Sequence, residues 1–201
     1  MDFNGIIQVF NKRGFKARAF DSIEQVKEVL QEEIAPGQSV GVGGSMTVKQ
    51  SGITDMLRAR GNTVHFHWEV DKSEINRVRK LASQADVYLS SSNAVTADGK
   101  LVNIDGYGNR VASMFYGPDR VYVICGRNKV VENEDKAVER IKTKACPQNA
   151  ERLNRNTPCR KTGRCHDCFS DDRMCSVKVV IERCPKSKEI NIMFVDEELG
   201  Y

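Results

Sequence analysis

Apolar positions along the chain recur with two periods, one typical of amphipathic helices and one typical of short buried strands. The helical period marks the segments 2–13, 23–34, 47–60, 71–85 and 137–145. Short runs of apolar and β-branched residues predict strands at 16–20, 39–43, 63–68, 87–91, 101–104, 110–115, 121–126, 177–183 and 190–195. The run Asp105-Gly106-Tyr107-Gly108-Asn109 separates two of these strands and predicts a β-hairpin. Pro147 predicts the end of the fifth helix.

The order of these elements predicts the fold class. Strands that alternate with helices form βαβ units, so the expected fold is α/β, with a mainly parallel sheet covered by helices on both faces. A chain of 201 residues has the length of one domain. We therefore expect a single α/β domain over residues 1–201, with a Cys-rich segment at 146–184.

Composition and charge exclude several classes of protein. With 40% hydrophobic and 29% charged residues, the chain is neither disordered nor fibrous. No run approaches the ~20 apolar residues of a membrane-spanning helix. The N-terminal segment lacks the pattern of a secretory signal, so the cytoplasm is the expected compartment. The net charge of +4 is unevenly spread, because residues 151–188 hold ten Lys/Arg and five Asp/Glu.

A glycine-rich run, Gly41-Val42-Gly43-Gly44-Ser45-Met46-Thr47, lies where a predicted strand gives way to a predicted helix. Glycines let the backbone approach an anion closely, and a helix N-terminus offers unpaired N–H groups and a partial positive charge. Gly43, Gly44, Ser45 and Thr47 are therefore candidate ligand-binding residues. The run matches neither the dinucleotide fingerprint nor the P-loop. A tight turn with an ordinary Ser/Thr helix cap is the structural alternative.

Polar side chains also follow the predicted strand 87–91, at the edge where open α/β sheets bind ligands. With the neighbouring predicted hairpin they give the candidates Asn93, Asp98, Asn103, Asp105, Asn109 and Arg110. A purely structural turn accounts well for Asp105 and Asn109. It accounts less well for Asn103 within an apolar run or for Arg110 at a strand entry. Lys129 follows the strand that ends at Gly126 and could also contact an anion.

Four cysteines form the pattern C-x5-C-x2-C-x6-C, and they are Cys159, Cys165, Cys168 and Cys175. A Cys-x-x-Cys pair with two flanking cysteines can supply the four thiolates of an iron–sulfur cluster. The local positive charge would lower the pKa values of these thiols. Zinc is the alternative metal, although structural zinc sites usually have two short-spaced pairs of cysteines. Free thiols without a metal are the third interpretation. His166 could replace one ligand.

The other three cysteines have no part in this pattern. Cys146 and Cys184 are spare, and Cys125 is expected to be a buried core thiol within its strand.

Several of these runs resemble those of one known family. The segments GVGGSMTVKQSG, SSNAVTADGKLVNIDGYGNRVASMFYGPDRVYVICGRNKVV, PQNAERLNRNTPCRKTGRCHDC and EELGY are similar to those of the stand-alone lactate-utilisation (LUD) domain proteins. The resemblance extends from about Gly41 to Tyr201. It implies a fold similar to the glucosamine-phosphate deaminase, ribose-phosphate isomerase and CoA-transferase-like group. In that group a glycine-rich strand-end loop holds a phosphate or carboxylate.

The resemblance also implies a cofactor, partners and site roles. Members of the family are associated with bacterial oxidation of lactate to pyruvate, in complexes that contain iron–sulfur subunits. Other lactate-oxidation subunits and a small carboxylate or phosphorylated ligand are therefore the expected partners. The glycine run would hold the anion, and the polar residues after 91 together with Lys129 would line the rest of the pocket. Because the family substrate is a small carboxylic acid, we expect Arg110 to bind a ligand carboxylate rather than only to hold the loop through Asp105.

Three functions from different classes stay open at this point. The first is an iron–sulfur component or accessory factor of lactate oxidation. The second is an enzyme that acts on a small sugar phosphate or acyl-CoA at the glycine run. Such an enzyme needs a general base, and in these loops only Asp98 or Asp105 could serve as one. The third is a zinc-stabilised nucleic-acid-binding module, which is least favoured because only Phe169 offers an aromatic platform near the cysteines. The sequence identifies no catalytic residue, and a homo-oligomer is compatible with it.

Overall fold

Two β-sheets and nine α-helices make up the computed structural model, which describes all residues from 1 to 201. The strands are β1 (Lys16–Phe20), β2 (Ser39–Val42), β3 (Thr63–Phe66), β4 (Val87–Ser90), β5 (Ala94–Thr96), β6 (Leu101–Asp105), β7 (Arg120–Gly126), β8 (Val130–Val131), β9 (Val177–Ile181) and β10 (Glu189–Val195). The helices are α1 (Asn4–Lys12), α2 (Ile23–Glu33), α3 (Met46–Ser51), α4 (Ile53–Ala59), α5 (Ile75–Ala82), α6 (Asn109–Phe115), α7 (Glu134–Arg140), α8 (Cys146–Arg152) and α9 (Pro158–Thr162). No helix is both long enough and apolar enough to cross a membrane.

The main sheet has six parallel strands in the order β1-β10-β7-β4-β2-β3. Its central strands β10, β7 and β4 are mostly apolar, as expected for strands that are buried on both faces. Side chains of β7 alternate between the two faces: Val121, Val123 and Cys125 join one core, while Tyr122 and Ile124 join the other. Helices α2, α3 and α4 cover the second of these faces. The predicted fold class is confirmed.

A smaller sheet in the order β8-β5-β6-β9 packs with α1 and α6 over the first face. β6 pairs antiparallel with both β5 and β9, and β5 pairs parallel with β8. The opposite side of this sheet forms a third core with α7 and with a π-helical turn at Ile141–Ala145. The short strands β5 and β8 and the helix α9 were not predicted from the sequence, because their runs are short and rich in polar or turn-forming residues.

The predicted strand at 110–115 is wrong, since this segment is the helix α6. Gly108, with φ of +81°, turns the chain, and its N–H donates to Asp105 Oδ2 over 2.8 Å. Val111 and Met114, three residues apart, are then both buried, which is helical spacing. The run 105–109 is therefore a strand-to-helix turn, and the antiparallel partners of β6 come from elsewhere in the chain.

Two predicted helices differ in their bounds. The helix predicted at 47–60 is broken at Gly52, whose φ of +69° ends α3 and begins α4. The helix predicted to end before Pro147 instead continues through the π-helical turn, and Pro147 lies in the first turn of α8. Proline lacks the N–H that an interior helical position would donate, and a change of helical register before it accommodates that loss.

Candidate functional site

The carboxyl ends of four neighbouring strands, β7, β4, β2 and β3, open onto one cavity of about 790 Å³. Open α/β sheets bind ligands at this edge because the loops that follow the strands are free to diverge there. The glycine run follows β2, Ser91–Asn93 follow β4, and Lys129 lies three residues beyond β7. The turn between β6 and α6, the helix α8, the segment 171–174 and Tyr201 complete the wall.

Seven of the eleven predicted ligand-binding residues line this cavity. They are Gly44, Ser45, Asn93, Asp105, Asn109, Arg110 and Lys129. Gly43, Thr47 and Asn103 lie just behind the wall and contact residues that form it. Asp98 is not brought to the cavity: it lies in the turn between β5 and β6, 3.5 Å from Lys100 Nζ.

The two glycines of the loop have different surroundings. A Cβ at Gly43 would lie 2.8 Å from Arg110 Cγ and 2.9 Å from the Tyr88 hydroxyl, so this position is small because protein groups pack against it. A Cβ at Gly44 would lie 3.0 Å from the Trp68 ring, at the cavity wall. Ser45 caps α3, since its Oγ accepts from Val48 N over 3.2 Å.

Arg110 is only 6% exposed, and all five of its N–H groups donate within the protein. The acceptors are Asp105 Oδ1 (3.1 Å), Ser91 O (3.1 Å), Asn103 Oδ1 (2.7 Å), Asn93 Oδ1 (3.1 Å) and Ile104 O (3.5 Å). The guanidinium thus ties the loop after β4 to β6 and to the turn that precedes α6. This arrangement favours a positioning role for Arg110 over the bidentate carboxylate role expected from the sequence.

Lys129 lies at the base of the cavity and is 3% exposed. Its Nζ donates to Thr47 Oγ1 and to Ser91 Oγ, each over 2.8 Å, and no carboxylate lies within 4.0 Å of it. Burial lowers the pKa of Lys129 to about 7, and the neighbouring Arg140 and Arg110 also lower it, against an opposing effect of Cys125. Lys129 is therefore a buried amine at the cavity, where the sequence had offered only Asp98 and Asp105 as possible bases.

The wall of the cavity is strongly basic. It carries three aspartates against eight basic residues, which are Lys49, Lys72, Arg79, Arg110, Lys129, Arg152, Arg155 and Arg173. Only Arg110, Arg155 and Arg173 form ion pairs with a carboxylate. The other five have no carboxylate partner, and four of them, Lys49, Lys72, Arg79 and Arg152, are cations that give the cavity a positive potential.

Sequence reasoning missed a second group of wall residues beyond β3 and on α5 and α8. Arg152 stacks over Trp68 at 4.0 Å, and Arg79 stacks over Tyr107 at 4.1 Å. His67, only 6% exposed, lies near both guanidiniums, and its Nδ1 has no hydrogen-bond partner. Burial lowers the pKa of His67 to about 4, so its ring is neutral at pH 7. The signal was available, because residues 67 and 68 follow a strand at the same sheet edge.

The Cys-rich segment packs beside this cavity and contributes residues 171–174 to its wall. Arg173 fixes the segment by donating to Cys168 O over 2.6 Å and to Cys175 O over 3.0 Å. Cys165 N donates to Lys142 O over 2.9 Å, which ties the segment to the π-helical turn. Cys146, at the start of α8, is itself part of the cavity wall.

The thiols of this segment gather around Cys175. Burial raises the pKa of Cys175, Arg173 lowers it, and the nearby Cys165, Cys168 and Cys159 raise it further. The pKa of Cys146 rises to about 12, first by burial and then through Cys175, Cys165 and Cys159. For Cys175 the expected lowering of the thiol pKa by the local positive charge is therefore wrong, because burial outweighs the effect of Arg173. Five cysteines, and not four, share this neighbourhood.

The arrangement of these thiols bears on metal binding. No group of three or more His, Cys, Asp or Glu side chains is arranged so that it could hold a metal ion. Ligands of a single zinc ion must converge on one point. In a cubane iron–sulfur cluster each thiolate binds a different iron, so the four sulfurs are held farther apart. Four thiolates are the donor set that an iron–sulfur cluster takes, but the arrangement in this structure shows no metal centre.

An α/β domain with a basic cavity at the carboxyl edge of a parallel sheet is the class that the fold and the site define. Within that class the chain belongs to the LUD domain family, whose model matches residues 4–195. A crystal structure of a DUF162 family protein from Deinococcus radiodurans is similar over 97% of this chain and 99% of that one, with a TM-score of 0.51 and 13% sequence identity.

A second solved structure gives a more distant likeness. The crystal structure of eIF2B beta from Chaetomium thermophilum matches 57% of this chain and 44% of that one, with a TM-score of 0.40 and 14% identity. Among curated proteins, none matches the sequence.

Proposed function

We propose that this LUD domain protein takes part in the oxidation of lactate to pyruvate, with a small carboxylate bound in the basic cavity and an iron–sulfur cluster held by Cys159, Cys165, Cys168 and Cys175. The observation that carries the proposal is that one cavity has both the strand-end loops and the Cys-rich segment in its wall. A ligand bound there would lie beside the residues that hold the cluster. Other lactate-oxidation subunits are the proposed partners.

Charge supports a carboxylate as the ligand. Five basic side chains of the wall have no carboxylate partner, and two of them, Arg79 and Arg152, are stacked on aromatic rings that hold the guanidinium planes in place. Guanidinium groups bind carboxylates in bidentate fashion, and fixing their planes in advance reduces the entropy lost on binding. Arg152 is fixed further by Asn149 Oδ1 at 2.8 Å and by the Tyr201 hydroxyl at 2.9 Å.

The proposed cofactor fits the chemistry of the Cys-rich segment. When bound, an iron–sulfur cluster would supply one-electron transfer. Arg173 holds the backbone of Cys168 and Cys175 and ion-pairs with Asp167 over 2.8 Å, so it fixes two proposed ligands. Cys159, in the short helix α9, is buried and lies 3.2 Å from Thr157 Oγ1. The helix α9 and Thr157 therefore fix the position of this proposed ligand.

The cavity volume and Lys129 together favour a second candidate function, an enzyme that acts on a sugar phosphate. A cavity of about 790 Å³ can hold ligands of drug size, which are larger than lactate. Lys129 is a buried amine that could serve as a base. Calorimetry compares the affinity for ribose 5-phosphate with the affinities for lactate and pyruvate. Tighter binding of ribose 5-phosphate would favour this second function.

The ligand half of the proposal is tested by calorimetry with lactate and pyruvate. Wild-type protein should bind at least one of them with a single site. Arg152→Gln should weaken that binding by about 10- to 150-fold, since one charge-assisted contact is worth about 1.5–3 kcal/mol. Arg127→Gln is the matched control, because Arg127 pairs with Asp196 and is not part of the cavity wall. Equal affinity in both variants, or no binding by wild type, would contradict the carboxylate site.

The cluster half is tested by anaerobic purification and reconstitution with iron and sulfide. Wild-type protein should become brown and hold iron and acid-labile sulfide, and Cys168→Ser should lose the colour. Cys184→Ser is the matched control, since Cys184 is also half-buried but lies outside the four-cysteine pattern. Colourless wild-type protein with all thiols intact would refute the cluster.

A further inference from the structure

We propose that Lys129 is a nucleophile that forms an imine with the carbonyl carbon of a small 2-oxo acid bound in the cavity. The inference rests on the proposed function in one respect, the binding of a carboxylate beside Lys129. It goes further by assigning a covalent step to one side chain and by naming the substrate class, a carboxylate with an adjacent carbonyl.

The hydrogen bonds around Nζ suit a neutral amine. Thr47 Oγ1 and Ser91 Oγ each accept from Lys129 over 2.8 Å. Both hydroxyl hydrogens are directed elsewhere, from Thr47 to Leu199 O over 3.1 Å and from Ser91 to Ser92 O over 3.4 Å. The two hydroxyls therefore act as acceptors towards Nζ. A neutral amine has two N–H groups, which these two acceptors satisfy, and its lone pair is left for a reaction partner.

The charges that surround Lys129 also disfavour its ammonium form. The groups that face it are Cys125 from β7, Arg110 from α6 and Arg140 from α7. Two of these three are cations, and no carboxylate lies near enough to form an ion pair with Nζ. An ammonium group here would be buried beside like charges with its third N–H unsatisfied. The lowered pKa of about 7 agrees with this geometry.

The position of Lys129 suits attack on a 2-oxo acid. It lies in the cavity wall with Asn93 and Asp105, so a carboxylate held by the basic wall would have its neighbouring carbonyl within the same cavity. The Nζ lone pair forms the new C–N bond while the carbonyl electron pair moves to oxygen. That oxygen takes up the protons released from nitrogen and leaves as water, and a C=N bond remains. The amine and the 2-oxo acid thus give an imine and one water, with no oxidant or reductant required.

Reductive trapping tests the imine. The protein is incubated with pyruvate and sodium borohydride, and intact mass and peptide mapping follow. We expect one adduct, heavier than the protein by pyruvic acid less one oxygen atom, on the peptide that contains Lys129. Lactate, which has no carbonyl group, should give none. Adduct yield in short incubations should fall about fivefold between pH 7 and pH 6, as the amine with a pKa near 7 becomes protonated.

Two variants make the test specific. Lys129→Met should abolish the adduct, and Lys188→Met should leave it unchanged, because Lys188 Nζ bonds Gly117 O and Asp119 and lies outside the cavity wall. If Lys129→Met does not fold, peptide mapping of the wild-type adduct decides the question alone. Saturable binding of pyruvate without any adduct at Lys129 would overturn the imine and leave the proposed function intact. Absence of pyruvate binding, or adducts spread over exposed lysines, would overturn the imine. Absence of binding by both pyruvate and lactate would overturn the proposed carboxylate site as well.

Discussion

Replacing Arg110 with lysine separates the two roles that this residue could have. If Arg110 binds a ligand, lysine should weaken binding and leave the fold intact. If Arg110 positions the loops, lysine should destabilise the protein, because it keeps the charge but loses the planar five-donor arrangement. The structure favours the second outcome, since all five N–H groups of Arg110 already have protein acceptors and the side chain is 6% exposed.

The expected size of the effect follows from the hydrogen-bond count. A lysine ammonium has three donors, so at least two of the five hydrogen bonds are lost. A hydrogen bond to a charged group contributes about 1.5–3 kcal/mol, so two lost bonds give a loss of about 3 kcal/mol in the free energy of unfolding. For a chain of this length a loss of that size lowers Tm by about 6–12 °C.

Thermal unfolding followed by circular dichroism measures this change. Arg79→Lys is the matched control, because Arg79 lines the same cavity but makes only one hydrogen bond in the protein, to Asn76 Oδ1 at 3.4 Å. The control should lose less than about 1 kcal/mol. A Tm for Arg110→Lys within about 2 °C of wild type, with carboxylate binding abolished, would refute the positioning role.

Three further perturbations test other parts of the account. Gly43→Ala should lower Tm by several degrees, since its Cβ would lie 2.8 Å from Arg110 Cγ and 3.0 Å from Ser90 Oγ. Gly5→Ala is the control and should not lower Tm, because nothing lies within 4 Å of a Cβ at Gly5. Equal Tm values for the two variants would contradict the tight packing at Gly43. His67 has a folded pKa of about 4, lowered by burial, so between pH 6.5 and pH 4 the unfolded chain binds more protons and stability falls as pH falls. His67→Gln should remove that part of the pH dependence in urea titrations, and an unchanged pH profile would show that the ring is not buried neutral. Arg152→Gln should change ligand affinity far more than Tm, measured by calorimetry and circular dichroism on the same sample, because its guanidinium lies at the cavity wall.

Strand and helix patterns predicted the main sheet well, because its strands are short apolar runs separated by amphipathic helices. The strands predicted at 16–20 and 190–195, which are β1 and β10 of the main sheet, show this most clearly. The failure at 110–115 has a physical cause: Val111 and Met114 suit either a helix or a strand, and the turn at Gly108 together with the bonds of Arg110 decides between them. Such tertiary contacts are not visible in a local window.

The candidate site was predicted in outline by the rule that ligands bind at the carboxyl ends of parallel strands. It placed Gly44, Asn93 and Lys129 at the same edge of the sheet, and all three line the cavity. It could not foresee that Lys129 is buried, or that Asp98 turns away towards Lys100. The burial of a residue depends on what packs over it. Here the C-terminal residues lie close to Lys129, although they are some seventy positions away in the chain. Hydrogen bonds between the neighbouring Asn128 and residues 199 and 200 show this contact.

The Cys-rich segment shows a different limit. Spacing alone selected four cysteines and left Cys146 aside, yet Cys146 lies beside Cys175, Cys165 and Cys159 because α8 places it there. A residue that is distant in sequence from a motif can join it only through the fold.

The central claim is that the carboxylate cavity and the cysteine site form one functional unit, and a spectroscopic titration tests it most directly. Protein reconstituted anaerobically with iron and sulfide is reduced, and pyruvate is added while the electron paramagnetic resonance spectrum is recorded. The account predicts a saturable change in the cluster signal that is weakened in Arg152→Gln, since the cavity wall includes residues 171–174 between two proposed ligands. A cluster signal that pyruvate leaves unchanged at concentrations where calorimetry shows full binding would contradict it.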